Sequence, residues 1–406
     1  MRLAAAFAAA VCLAGLAPEV GCDEGSVASA RRDVVDASGT SARPDTGAPP
    51  SDDAGMTDAA DVPEASVVPA CPEAGGCTAP VAGVLASGRH TPAGIAVDAT
   101  SVYWIDLGSS ADGGAPANAG VLKCAKTGCG DSPTVLASGP WVGMAKLAVY
   151  AGNVYWFSTG KVFECAVDGC GGAPAVLWSG QGVVGDIAAD ASGTYFTDLS
   201  GRRVLRCAPG GCGGGASELW SNAEAGVFAP PLGLALDTSS VYFTASSGDV
   251  LGCAKSDCAG TASWLASGQA SAVQIAVGAR AFFTDATLNG LGRIVSISKD
   301  IAVDAAPPST DLLGGLSVPT GLALDGANVY FTEDGSVDAN GRSASGAGRV
   351  ARCALGGCGG VATAVAGYVN HPRGIAVDDT SVYWTDFGAT VDPSGADDGR
   401  VMVRGK

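Results

Sequence analysis

The chain of 406 residues has few charged residues, few aromatic rings and almost no histidine. Only 16% of its residues are charged and 6% are aromatic, and two histidines occur in the whole sequence. The net charge is −17, and Lys and Arg form no cluster. Because phosphate binding needs concentrated positive charge, we expect no nucleic-acid partner.

Signatures of catalysis are also missing. The sequence has no Gly-x-Ser-x-Gly elbow between a strand and a helix, no His-Glu-x-x-His motif and no glycine-rich phosphate loop opening a helix. Long helical stripes of Leu, Glu and Lys are absent as well. The sequence identifies no catalytic residue and favours a protein that is not an enzyme.

Residues 1–22 have the pattern of an export signal. Arg2 is followed by an apolar run over 3–17, which is too short for a permanent membrane helix. Val20-Gly21-Cys22 resembles the end of a bacterial lipobox, although Glu19 stands where Leu is usual. Two outcomes stay open: a cell-envelope lipoprotein lipidated at Cys22, and an extracellular protein. No later stretch is long and apolar enough to span a membrane, so a lipid is the only membrane link we expect.

Residues 23–70 differ in composition from the rest of the chain. They are rich in Asp, Ala, Pro and Ser, contain no aromatic residue and carry ten acids against three bases. Such a segment cannot bury enough apolar surface to offset its ordering entropy. We therefore predict a disordered tether that repels itself.

What is abundant is glycine, 61 residues of it, and a phrase repeated seven times over 71–406. The phrase is Gly-Ile-Ala-Val-Asp followed by Val-Tyr-Trp-Thr-Asp, and it is strongest at 94–106 and 374–386. Each unit of 40–53 residues continues with two more short apolar runs separated by turn residues. Four short strands at this period indicate a propeller blade. The sequence thus predicts an all-β, seven-bladed β-propeller of four-stranded blades.

The two ends of the repeat region predict how the ring closes. The seventh repeat stops after a third strand at 400–404, and a matching fourth strand stands at 82–88. We expect this N-terminal strand to pair with the last blade. Such pairing removes a free sheet edge that would otherwise invite aggregation.

Twelve cysteines in the repeat region form pairs where a third strand turns into a fourth. A zinc site would need four ligands converging on one metal, but neighbouring blades carry their hairpins apart. Disulfides in an exported protein are the favoured interpretation, fixing hairpin register locally. The predicted pairs are Cys71 with Cys77, Cys124 with Cys129, Cys165 with Cys170, Cys207 with Cys212, Cys253 with Cys258, and Cys353 with Cys358. The fifth repeat lacks a pair.

The repeated phrase resembles the YWTD and NHL families of β-propellers. Tyr383-Trp384-Thr385-Asp386 matches the first motif in full, and the resemblance covers 79–406. It implies a ring of four-stranded blades that usually binds proteins or ligands. YWTD propellers typically have six blades, so seven repeats and the cysteine pairs are departures.

Repeated acids and aromatic rings suggest a ring-shaped site, but a structural role is favoured for them. Asp98 and its equivalents (Asp190, Asp237, Asp325, Asp378) open the turn between first and second strands, where Asp bonds its own backbone. The acid that ends the second strand, as Asp106 does, and the bulky rings before it are expected to be structural too.

A candidate ligand surface follows from loop lengths. The loops between second and third strands have 14, 16 and 14 residues in repeats one, six and seven, against 3–8 elsewhere, and these repeats become neighbours when the ring closes. Function concentrates on long loops held by a rigid scaffold. The candidate ligand-binding residues are His90, His371, Asp112, Asp334, Asp338, Asp392, Asp397 and Asp398.

These residues leave two functions open. The first is a non-catalytic, monomeric binding scaffold for an unknown protein or small ligand, without a cofactor. The alternative is a metal-dependent hydrolase or lactonase, in which the histidines and loop carboxylates hold a divalent cation. Polar loop residues beside prolines are the favoured interpretation over a metal role, so no metal ligand is assigned. A surface protein with a purely structural role also stays open.

Overall fold

The computed structural model describes residues 82–108, 119–213, 215–222, 229–286, 291–299, 309–335, 346–388 and 398–406. Within these ranges, 28 strands form seven four-stranded antiparallel sheets, and the helical structure is one turn, α1 (Cys258–Thr261). The protein is a seven-bladed β-propeller, as predicted. The export signal with Cys22 and the tether lie outside the described residues and stay predictions.

Each blade takes four strands in chain order, except the last. Blade 1 contains β2 (Pro92–Val97), β3 (Ser101–Asp106), β4 (Gly120–Ala125) and β5 (Thr134–Ser138). Blade 2 contains β6 (Leu147–Tyr150), β7 (Asn153–Ser158), β8 (Lys161–Ala166) and β9 (Ala175–Ser179). Blade 3 contains β10 (Val184–Asp190), β11 (Gly193–Asp198), β12 (Arg203–Cys207) and β13 (Ser217–Ser221). Blade 4 contains β14 (Pro231–Leu236), β15 (Ser240–Ala245), β16 (Val250–Ala254) and β17 (Ser263–Ala266).

The remaining blades complete the ring. Blade 5 contains β18 (Ala272–Val277), β19 (Ala281–Ala286), β20 (Leu291–Ile297) and β21 (Thr310–Ser317). Blade 6 contains β22 (Pro319–Leu324), β23 (Asn328–Glu333), β24 (Gly348–Ala354) and β25 (Thr363–Val369). Blade 7 contains β26 (Pro372–Val377), β27 (Ser381–Asp386), β28 (Gly399–Gly405) and, from the other end of the repeat region, β1 (Gly83–Arg89).

The first strands of all blades stand side by side around the axis, and β2 contacts β26 to close the circle. Links between blades and the loops from second to third strands lie on one face, which we call the loop face. The other two turns of every blade lie on the opposite face, together with the paired cysteines. We call that one the disulfide face.

Chain closure occurs as predicted, with the N-terminal strand one residue later than expected. β1 pairs antiparallel with β28, Gly83 opposite Val403 and Arg89 opposite Gly399. Its outer side is also held, because the Cys129 N–H of blade 1 donates to the Leu85 carbonyl at 3.2 Å. The ring therefore has no free edge where the chain ends meet.

Blade packing explains the repeated phrase. The second strand is buried along its whole length, so Tyr103 and Trp104 have no exposed surface. A strand covered by neighbouring blades on both sides carries bulky residues at successive positions. The first strands instead need small residues at the axis. A Cβ on Gly94 would lie 2.5 Å from the Ala145 carbonyl oxygen of the next blade. Glycine there lets neighbouring backbones approach.

The threonine of the phrase joins neighbouring blades. Thr385 Oγ1 accepts a hydrogen bond from the Gly374 N–H of its own blade and donates to the Ala93 carbonyl of blade 1, at 2.9 and 2.7 Å. Thr197 and Thr244 make the same two bonds. A buried hydroxyl thus satisfies two backbone groups from two sheets, which would be costly to leave unpaired.

Five of the six predicted cysteine pairs are disulfides in the structure. Their Cα atoms are 4.6–5.6 Å apart, and the pairs are Cys124–Cys129, Cys165–Cys170, Cys207–Cys212, Cys253–Cys258 and Cys353–Cys358. The sixth predicted disulfide joins Cys71 and Cys77. Both Cys71 and Cys77 lie outside the described residues, so that disulfide is not among those observed and stays a prediction.

The missing pair of blade 5 has a physical account. Ile297 stands where the first cysteine is expected, fully buried, and packs in one cluster with Leu265 and Ala266 of blade 4. An apolar side chain therefore fills the space that a cysteine fills elsewhere.

The predicted structural role of the turn acids is confirmed. Asp98 Oδ1 accepts hydrogen bonds from the N–H groups of Thr100 and Ser101, both at 2.8 Å, and Asp98 Oδ2 accepts one from the Tyr103 hydroxyl at 2.6 Å. Asp237, Asp325 and Asp378 repeat this arrangement in full. These carboxylates fix turns on the disulfide face.

Candidate functional site

A cavity of about 170 Å³ lies at the axis, among the first residues of the innermost strands. Those strands begin at the loop face, and Leu107 and Phe387, which line the same cavity, directly follow second strands that end there. The cavity therefore occupies the loop-face half of the axial channel. Its walls are largely apolar, with Ile95, Met144 and Ile375 among them.

Three polar side chains in and beside the cavity occupy one position of the repeat. Four blades place a glycine there: Gly94, Gly233, Gly321 and Gly374. Blades 2, 3 and 5 place Lys146, Asp186 and Gln274 there instead, each directly before the residue opposite the second-strand aromatic ring. Each of these three replacements places a polar side chain at a position where the other four blades have glycine.

Lys146 contacts the other two side chains. Lys146 Nζ lies 3.6 Å from Asp186 Oδ2 and also donates to Gln274 Oε1. Asp186 is almost completely buried and accepts hydrogen bonds from the N–H groups of Ile187 and Leu234, at 2.8 and 3.0 Å. The Lys146 charge is thus balanced by a carboxylate that is itself well held.

Arg373 is a second cation of the cavity, one position earlier in the repeat than Gly374. Its guanidinium lies over the Phe387 ring, with Cζ 5.2 Å from the ring centroid. The Nε atom is buried and has no hydrogen-bond partner, and no carboxylate of the described residues pairs with the side chain. The axial cavity therefore holds one cation whose charge the described part of the protein does not balance.

Carboxylates on the loop face around the cavity mouth are occupied by structural bonds. Asp198 and Asp285 stand opposite Arg203 and Arg293 in their sheets, and each receives a guanidinium Nε–H at 2.9 Å. Glu333 makes the same pair with Arg349. Blade 1 has Gly120 at the arginine position, and Asp106 instead accepts from Trp104 Nε1 at 3.0 Å and lies 3.7 Å from Arg89. The predicted structural role of these acids is confirmed.

Blade 7 departs from this pattern. Burial raises the pKa of Asp386, and the nearby Asp398 charge acts in the same direction, while a hydrogen bond from the Gly388 N–H acts against it. Arg400 stands opposite Asp386 in the sheet. Asp398 and Asp386 thus place two interacting carboxylates at the loop face.

The predicted ligand residues fall into three groups. His371 Nδ1 lies 2.8 Å from Asp334 Oδ1, so these two come together, and Asp398 lies near Asp386. His90 lies in the link before β2, but Thr91, not His90, occupies the place of His371 before the proline. None of these residues lines the cavity. Asp112, Asp338, Asp392 and Asp397 lie outside the described residues, and their roles stay predictions.

Link geometry sets the three long-loop blades apart. Thr91, Val318 and His371 precede the first-strand proline of blades 1, 6 and 7, and all three have a φ of 49–52°. Non-glycine residues rarely adopt this left-handed backbone, which tends to occur where the surroundings impose it. The chain enters these blades in one distinctive conformation, next to the cavity mouth.

Neither a metal site nor a membrane span emerges from the part of the chain that the structure describes. No three His, Cys, Asp or Glu side chains lie close enough together there to hold a metal ion. Four of the predicted loop carboxylates lie outside the described residues, so the divalent cation of the alternative function stays an untested hypothesis. No helix among the described residues is both long and apolar enough to cross a bilayer.

Similarity to known proteins is found among solved structures. No protein-family model and no curated protein matches it. A virginiamycin B lyase from Staphylococcus aureus, solved with quinupristin, covers 80% of this chain and 98% of its own, with 14% identity and a TM-score of 0.54. A nidogen/laminin complex (17% identity, covering 54% and 79%, TM-score 0.41) and a PQQ-bound aldose sugar dehydrogenase from Streptomyces coelicolor (17%, 80% and 96%, 0.42) are also similar. At these identities the likeness shows the β-propeller fold alone.

Proposed function

We propose that this chain is an exported, non-catalytic binding protein of the YWTD/NHL propeller type. Its ligand, a small molecule or a segment of a protein, docks on the loop face over the axial mouth. The observation that carries the proposal is the adjacency of blades 6, 7 and 1. Their long loops leave the ring at Asp334, Phe387 and Leu107, and the last two of these residues line the cavity.

The rest of the ring supports the same proposal. The repeated side chains of blades are used for turns, ion pairs and interblade bonds, as Asp98, Asp198 and Thr385 show. What the ring leaves for recognition is the cavity, its polar side chains and the long loops. A rigid scaffold that carries a few variable loops is a common arrangement for binding.

Five disulfides indicate an oxidising environment, in which an exported protein folds. We further propose that the protein is a monomer and that a lipid attached to Cys22 anchors it. Labelling of cells with a radioactive fatty acid, with the Cys22→Ser variant as control, tests the anchor. Label in the variant would contradict it.

The binding proposal is tested by a thermal-shift screen of small molecules on the full chain, followed by loop exchange. In three variants, residues 107–119, 334–347 and 387–398 are each replaced by Thr-Gly, the connection at 159–160 of blade 2. We expect each variant to fold and at least one to lose the ligand-induced shift. As a control, two residues are removed from the turn at 209–215 on the disulfide face, which should leave binding unchanged. Compounds that still shift the melting temperature of all three variants would show that the binding site lies elsewhere.

A further inference from the structure

Arg373 gives the axial cavity a net positive charge inside an acidic protein. The net charge of the chain is −17, and Lys146 is balanced by Asp186 at 3.6 Å. Arg373 has no such counter-charge among the described residues, and its buried Nε lacks a hydrogen-bond partner. An unsatisfied buried donor is costly, more so when it is charged, so its retention needs a reason.

Comparison of the chain with itself shows that the fold does not require this arginine. The equivalent residues in the other blades are Ala93, Ala145, Gly185, Leu232, Val273 and Thr320. None of them is charged, and the blades that carry them are built in the same way. The arginine is thus an addition to the axial lining.

We propose that the axial cavity binds a small monocarboxylate, with Arg373 as the residue that receives the carboxylate. This inference rests on the proposed function, because it names the ligand class for the same mouth. A planar guanidinium fork binds a carboxylate through two parallel hydrogen bonds. One uncompensated positive charge suits one negative charge. Gln274 and Lys146 lie in the same lining and supply further donors.

The walls define the body to which the carboxylate is attached. Ile95, Leu107, Met144, Leu322, Ile375 and Phe387 line the cavity, and its volume of about 170 Å³ admits only a small molecule or the end of a larger one. Phe387 packs under the guanidinium at 5.2 Å and holds it in place. The cavity therefore suits a compact apolar group, such as one aromatic ring, that carries one carboxylate.

The test measures the binding of sodium benzoate to the full chain by calorimetry and thermal shift. Benzamide, acetate and inorganic phosphate are the comparison probes. We expect benzoate to bind more tightly than all three. Benzamide lacks the negative charge, and acetate lacks the apolar body. Phosphate has no apolar body either, and it carries more than one negative charge. Arg373→Ala, which introduces the residue of blade 1, should weaken benzoate binding at least tenfold. Arg404→Ala removes the same charge at the disulfide-face end of β28 and should change nothing.

A second variant keeps the test decisive if Arg373→Ala does not fold. Asp186→Asn removes the counter-charge of Lys146 and should strengthen benzoate binding several-fold. The inference is overturned if benzoate does not bind at millimolar concentration, if benzamide binds equally well, or if neither variant alters its affinity. A neutral ligand that depends on the long loops and ignores Arg373 would leave the proposed function standing without this inference. If no probe and no screened compound binds, both the proposed function and this inference are contradicted.

Discussion

Lys126 Nζ of blade 1 lies 2.7 Å from Asp378 Oδ2 of blade 7, so an ion pair joins the blades at the two ends of the chain. The lysine also lies over the Tyr383 ring, whose hydroxyl donates to the same aspartate. The same pairing across other blade interfaces is Lys255–Asp190, Lys299–Asp237 and Lys406–Asp325. Each lysine follows a third strand and reaches the turn acid of the preceding blade.

At a blade interface, the turn acid and the lysine tend to be present or absent together. Blade 2 has Tyr150 at the acid position, and blade 3 has Pro209 at the matching lysine position. Likewise, blade 5 has Gly278 at the acid position, and blade 6 has Leu355 at the lysine position. The interface between blades 1 and 2 keeps its acid but has Val167 in place of the lysine, and nothing in the structure explains this exception. The pairing nevertheless identifies the acids as half of an interblade contact.

The ring should lose stability as the pH falls towards 2. Burial alone would raise the pKa of Asp237, but hydrogen bonds from Lys299, the Ser239 N–H and the Tyr242 hydroxyl lower that pKa to about 2. A lowered folded-state pKa stabilises the fold above the ordinary value of 3.8, and this contribution is lost as the pH falls through 2. Asp190, Asp325 and Asp378 have lowered pKa values and act in the same direction.

The measurement is the melting temperature (Tm) of wild type and Asp237→Asn between pH 2 and 7. At pH 7 the variant should lose about 1 kcal/mol, as expected for a partly exposed ion pair, or about 2 °C in a domain of this size. The difference should vanish near pH 2. Asp379→Asn, an exposed acid in a turn of the same face, is the control and should follow wild type throughout. A constant difference at all pH values would contradict the ion-pair account.

Thr385→Val should be among the most destabilising conservative changes. The substitution keeps the shape of the side chain but leaves the Gly374 N–H and the Ala93 carbonyl without their buried partner. Unpaired buried groups cost about 1–3 kcal/mol each, so we expect a loss of about 2–4 kcal/mol in denaturant unfolding. Thr385→Ser keeps both bonds and should lose less than half of that. Equal losses would contradict the prediction, because the buried hydroxyl would then contribute no more to stability than the methyl group that serine lacks.

Removal of the Cys253–Cys258 disulfide should reduce stability more when serine replaces the cysteines than when alanine does. Cys253 and Cys258 are both buried, and their loop is short, so loop closure accounts for about 2 kcal/mol. Ile297 shows that an apolar side chain serves at the matching position of blade 5. Cys253→Ala with Cys258→Ala should therefore lower the Tm less than the two serine substitutions. Equal melting temperatures would show that the site tolerates polar groups.

Most of the fold was predictable because repeats make a sequence its own comparison. Blade number, closure of the ring by the first strand and the five observed disulfides all follow from where the phrase recurs and where the cysteines fall. The sixth pair, Cys71 with Cys77, has one more residue in its loop and lies outside the described residues. The turn acids were predictable because their hydrogen bonds to backbone N–H groups are local, within three residues of Asp98. Local rules and periodicity together determine these features.

The cavity was harder to predict, because its residues differ from the repeat. Lys146, Asp186 and Gln274 stand where the phrase has glycine, and Arg373 where it has small or apolar residues. This departure is visible in the sequence, but only the closed ring shows that the three positions meet. The loop pattern instead predicts His90 and His371 as ligand residues, but these two differ in register and do not line the cavity.

The place where β1 begins determines the face at which the described chain enters the ring. Gly83 lies opposite Val403 near the disulfide face, and the strand runs from there towards Arg89 at the loop face. The described part of the chain therefore enters the ring at the disulfide face. The axial mouth opens on the loop face, at the opposite end of the ring axis from that point of entry.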